Sequence, residues 1–154
     1  GSLTLGEAAG ERMKGSLEAN SPEGEQDCCS DNTHYSHFYD AKGIRNVYLG
    51  EYTRVDGTKL TGASLSSLVA KADPAADAAL KADLAATEAK IQALVDHANN
   101  GEHYDQLTAA DNEKGNQIVR DSIAALVKQT GSIEAAAGKL GISDLNPDSA
   151  DHEF

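Results

Sequence analysis

Tryptophan is absent, and the only aromatic residues are five tyrosines and two phenylalanines. A core so poor in rings has to be built from Leu, Ile, Val and Ala, which suits packed helices better than a β-sandwich. There are two cysteines, and they are neighbours, Cys28 and Cys29. Two cysteines make no disulfide framework. Joining neighbours would strain the peptide between them, which leaves free thiols or a bridge to a cysteine outside this chain. Basic residues are scarce as well: 13 Lys and Arg stand against 25 Asp and Glu, a formal charge of −12. Such a field repels phosphate backbones and anionic membranes, so nucleic acid is excluded as a partner, while cations, metal ions included, are attracted. For most of these carboxylates the function is solubility. No run of about 18 apolar residues exists, so no segment is expected to span a membrane.

What is present reads as helix. The 154 residues suit about one domain. Leu3–Leu17 places Leu5, Ala9, Met13 and Leu17 four apart, a narrow apolar stripe. Gly6, Gly10 and Gly15 weaken that helix in isolation and allow close approach of another. The segment opens as a helix already under way, as expected if the chain is part of a larger protein. Residues 18–30 hold Pro, Gly and polar side chains and read as a loop. Ser30 or Asp31 is then placed to cap a helix carrying Phe38, Ala41, Ile44, Val47 and Tyr48, with Gly50 as its stop. Residues 51–62 form a loop with a hairpin signal at Asp56-Gly57. Ser64–Val69 makes a short helical turn.

Asp73-Pro74 is a helix start, an N-cap acid with proline at the first helical position. Leu80, Leu84, Thr87, Ile91, Leu94 and Ala98 then repeat at alternating spacings of four and three, and Asn99-Asn100-Gly101 stops the helix. A turn is expected near Tyr104–Leu107. From Asp111 a last segment carries Val119, Ile123, Leu126, Thr130, Ile133, Ala137 and Leu140 at the same spacing. It runs through Gly131 as one helix or as two nearly collinear ones, with Gly141 as its cap. The sum is an all-α antiparallel helical bundle of about four long helices with short extra turns, occupying residues 1–145. An acidic tail follows over 146–154.

Chemistry-bearing residues concentrate in Ser30–Tyr52. His34 and His37 lie three apart, so on a helix they share a face and could hold one metal ion, with Asp31, Cys28 and Cys29 close in sequence. The competing reading packs one histidine and solvates the other. Asp31, Asn32 and Thr33 are capping residues first and a polar cluster second. Tyr35, Tyr39, Tyr48 and Tyr52 either line a cleft or fill the core. Arg45 either clamps a ligand carboxylate or forms an internal salt bridge. Gly101-Glu102-His103 has Gln106, a poor metal ligand, three residues after the histidine. That spacing is read as coincidence. No Ser-His-Asp triad, phosphate loop or His-Glu-x-x-His helix is found.

SDNTH at Ser30–His34, AKGIRNVYLGEY at Ala41–Tyr52 and SLSSLV at Ser64–Val69, preceded by Gly62, resemble imelysin-like proteins. These are also called insulin-cleaving membrane proteases or iron-regulated proteins. The likeness continues through Tyr104-Asp105-Gln106, Ile123–Gln129 and Ala137–Gly141. The resemblance implies an all-α protein of two helical-bundle halves, exported to the bacterial periplasm or outer membrane and linked to iron uptake. The family's Gly-x-His-x-x-Glu signature belongs to the N-terminal half, and this chain looks like the C-terminal half. What the resemblance carries over is Asp31, Asn32, Thr33 and His34, with Arg45, Asn46 and Tyr48. These would face a cleft shared with the N-terminal half or a companion chain and bind a metal, iron or zinc, or a small ligand. The alternative it implies is part of a metallopeptidase whose His and Glu ligands lie in the other half, with His34 or Asp31 assisting.

Overall fold

The computed structural model describes residues 1–145 and Pro147, so the acidic tail expected over 146–154 otherwise lies outside the described residues. The all-α architecture is observed, with one small hairpin added. The chain opens with a π-helical segment, Leu3–Lys14, that continues directly into α1, Gly15–Ala19. The π path is a departure from the α-helix expected here. Its wider turn suits the buried positions Thr4, Ala9 and Met13, which are spaced five and four apart. On an α-helix that spacing would drift around the surface. Asn20, in the left-handed region at φ 48°, ends α1, and a 3₁₀ turn over Pro22–Gly24 interrupts the loop that follows.

Helix α2 spans Thr33–Leu49 and ends on Gly50 at φ 65°. The predicted hairpin forms from β1, Glu51–Thr53, and β2, Lys59–Thr61, with Tyr52 opposite Leu60 and Gly57 at φ 84° in the turn. Helix α3, Leu65–Ala72, starts at Ser64, whose Oγ accepts from the Ser67 amide at 3.0 Å. Replacing Ser64 with Ala removes that cap and is expected to cost about 1 kcal/mol, read as a lower urea midpoint for unfolding.

Helix α4, Pro74–Asn99, begins where Asp73-Pro74 predicts. Asp73 Oδ1 accepts from the amides of Ala75 and Ala76 at 3.0 and 3.1 Å. All six residues of its apolar repeat are buried. A single turn, α5, covers Tyr104–Leu107, and α6 runs unbroken through Gly131 over Glu113–Lys139.

Cross-links between α4 and α6 set their direction. Asp73 pairs with Lys139 at 2.9 Å, Asp83 with Lys128 at 2.7 Å and Lys90 with Asp121 at 2.9 Å. Numbers rise along one helix as they fall along the other, so the pair is antiparallel. Tyr48 to Asp77 and Arg45 to Glu88 show the same for α2 and α4. One core cluster joins Met13, Leu17, Phe38, Leu94, Leu107 and Val119; a second joins Tyr48, Val69, Leu80, Leu84 and Ala136.

Candidate functional site

The start of α2 is not the capped terminus that its sequence suggests. Asp31 takes the left-handed conformation at φ 53°, and Asn32, the N-cap residue, makes no side-chain cap. Capping by Ser30 or Asp31 is therefore corrected. The physical reason is tertiary. The Asp31 carboxylate turns to His103, with Oδ2 3.0 Å from Nδ1, an ion-pair distance whose geometry does not make a hydrogen bond. Thr33 is also used elsewhere: its hydroxyl accepts from the Asp27 amide at 3.0 Å and bonds the Glu25 side chain. Helix and preceding loop are thereby stitched together.

His34 is buried, and its ring lies edge-on to His103 with centroids 5.6 Å apart. Its Nδ1 has no partner among the described residues. Burial pushes its pKa down, and the neighbouring His103 pushes the same way, against the pull of Asp31. On the Asp31 side of this group lies an open basin of about 730 Å³ lined by Glu23, Glu25, Cys28, Cys29, Asp31 and Asp105. Glu25 is only 7% exposed, and its Oε2 is without a partner among the described residues. Burial raises its pKa, and the charges of Asp105, Asp31 and Asp27 add to the effect. The two thiols are free and exposed, with sulfurs 3.6 Å apart. A second basin beside it is lined by Asn32, Tyr35 and Tyr39, the two tyrosine rings stacked at 6.2 Å.

The remaining candidates sit elsewhere. His37 is 1% exposed and packs in the core with its ring 5.0 Å from that of Tyr104. Tyr48 is buried and donates to Asp77 Oδ1 at 2.8 Å. Arg45 bonds Glu88 at 2.8 Å, an internal salt bridge. The carbonyl of Asn46 accepts from Gly50 at the end of α2. These three lie roughly 20 Å along the helix axis from His34. The structure thus unites Asp31, Asn32, Thr33 and His34 and separates them from Arg45, Asn46 and Tyr48. Of the four tyrosines in this stretch, Tyr48 is buried in the core, Tyr35 packs partly buried against it, and Tyr39 and Tyr52 are exposed.

His103 and Asp105 were not among the residues picked from the sequence. They reach the site through a locked connector. Glu102 Oε2 lies 2.6 Å from His97 Nδ1 on α4, and its Oε1 accepts from Asn112 at 2.9 Å. Those two hydrogen bonds hold its pKa down. Asn116 donates to the carbonyls of Leu107, Ala109 and Asn112 at 2.8–3.0 Å. Gln106 turns back to accept from the His103 amide at 2.9 Å, so its side chain serves the turn rather than a ligand. The Gly-x-His frame at 101–103 was the signal in the sequence, and the missing Glu at 106 was the reason to pass over it.

The chemistry available is that of two histidines among clustered carboxylates, a setting for a cation or for a ligand rich in hydrogen-bond donors. Among the described residues, no three His, Cys, Asp or Glu side chains are arranged to hold a metal ion.

An all-α bundle with an acid-lined basin at the start of one helix, beside the His34–His103 contact, is the class that these features define. The chain matches the imelysin family over residues 1–133, and it belongs to that family. No curated protein sequence matches it. Among the described residues no helix is long and apolar enough to cross a membrane.

Proposed function

We propose that this chain is the C-terminal bundle of an imelysin-family protein that serves iron uptake in the bacterial periplasm or at the outer membrane. Its part is to supply Asp31, His34 and His103 to a metal- or ligand-binding cleft completed by an N-terminal half. The observation that carries this reading is the buried Nδ1 of His34, without a partner among the described residues, beside the Asp31–His103 pair. A polar atom left so is costly unless something binds it. Because the donors among the described residues do not enclose an ion, the reading assigns the remaining ligands to the other half.

Calorimetric titration of ferric iron and zinc into this chain, alone and joined to the N-terminal half, tests the reading. Binding is expected only for the joined protein. His34→Ala and His103→Ala should each weaken it about tenfold or more. Unchanged affinity in both variants would remove the site. Cleavage of insulin B chain by the joined protein, abolished by chelators, would turn the reading toward a metallopeptidase.

A further inference from the structure

The second core cluster does not close. Between α2, α4, α6 and the start of the π-helical segment lies a cavity of about 360 Å³. Its inner wall is Val69, Leu80 and Leu84, all buried. Small residues leave the space, notably Gly43 on α2 and Ala136 and Ala137 on α6. A Cβ built at Gly43 would meet nothing within 4 Å. Well-packed interiors hold few voids larger than a water molecule, so a volume of this size is an open site rather than a packing remnant.

Among the described side chains of the wall, one buried polar atom is without a partner. Tyr48 lines the cavity, but its hydroxyl is taken by Asp77. Thr4 also lines it, is 1% exposed, and its Oγ1 has no partner among the described residues. No described lining residue carries a charged side chain, so a charged ligand would lose its hydration without compensation. The entrance is apolar: Leu3, Val47, Leu65 and Ile142 line the cavity and are exposed, Val47 by 70%. Ligand sites are mostly apolar, with a few placed polar groups that orient the ligand.

We infer that this cavity binds a small uncharged amphiphile, a ring system or hydrocarbon body carrying one hydroxyl that bonds Thr4 Oγ1. The site is separate from the basin at the start of α2 and does not depend on the reading given for it.

Three probes sharing one body test it by calorimetry: 1-naphthol, naphthalene and 1-naphthoate. 1-Naphthol should bind saturably at one site, naphthalene about fivefold more weakly for want of the hydrogen bond, and 1-naphthoate not at all. Thr4→Val should bring 1-naphthol down to the affinity of naphthalene. Gly43→Phe should fill the cavity and abolish binding of both; circular dichroism checks that it folds, and Ala137→Leu replaces it if it does not. The inference is overturned by a lack of saturable 1-naphthol binding, or by a Thr4→Val variant that keeps the preference for the hydroxyl. Binding that emerges only after residues 146–154 are deleted would also overturn it, by showing the chain's own tail in the cavity.

Discussion

Acidification from pH 7 to pH 4 is expected to destabilise this fold by on the order of 3 kcal/mol through His37 alone. The ring is 1% exposed, lies against Tyr104, and neither nitrogen has a partner among the described residues. Burial lowers its pKa from the ordinary 6.5 to about 4; Arg12 adds to this and Asp27 opposes it. The folded state therefore favours the neutral ring. Above pH 6.5 both states are neutral and the fold keeps its full stability. Between 6.5 and 4 the unfolded chain takes up the proton and the folded chain does not, so stability falls as pH falls. Below 4 both are protonated and no further loss arises from this group. About 1.4 kcal/mol per pH unit across that window gives the figure quoted. Urea unfolding of the native chain and of His37→Leu at pH 7 and pH 4 isolates the effect, because the other titrating groups are common to both. Leucine should be close to neutral at pH 7 and better than histidine by about that amount at pH 4. A difference that does not change with pH would mean that His37 takes up its proton as readily in the folded protein as in the unfolded chain.

Gly115→Ala is expected to lower stability by about 1–3 kcal/mol and to loosen the basin at the same time. A Cβ there would sit 2.7 Å from both the Cα and the carbonyl oxygen of Leu107 and 2.6 Å from Asn112 Nδ2. Two of those atoms are backbone, so the connector carrying His103 and Asp105 would have to move away from α6. Gly131→Ala is the control. It lies on the same helix, is exposed, and its Cβ would meet nothing within 4 Å. There alanine should stabilise by up to about 1 kcal/mol, since it restricts the unfolded chain and favours helix. Unfolding midpoints rank the two variants. The nuclear magnetic resonance chemical shifts of the His103 ring report whether its contact with Asp31 survives, and equal effects from both variants would refute the close-approach explanation.

Much of the scaffold was legible because its signals are local. Asp73-Pro74 marks the start of α4 through a cap and a ring that fit only a first turn. The alternating spacing from Leu80 to Ala98 names the buried face before any neighbour is known. Asp56-Gly57 announces the hairpin because glycine accepts the positive φ that its turn requires. The π-helical opening was not legible, since a spacing of four reads as a loose α-helix until its packing partner appears.

The site divides along the same line. Asp31, Asn32, Thr33 and His34 stood out by type and position, but their local reading was a helix cap. Only folding brings His103 against Asp31 and His34, from a segment nearly seventy residues away in the chain. It also sends His37, one turn from His34, into the core against Tyr104 and away from His103.

By itself, the sequence determined that this protein is all-α and acidic and where most of its helices begin and end, because capping, periodicity and charge act between near neighbours or by simple sum. The tertiary structure decided which histidine meets His103, which acid abandons its cap, and where an apolar cavity is left open. Those outcomes depend on contacts between distant segments, whose energies exceed the local preferences that a linear reading can weigh.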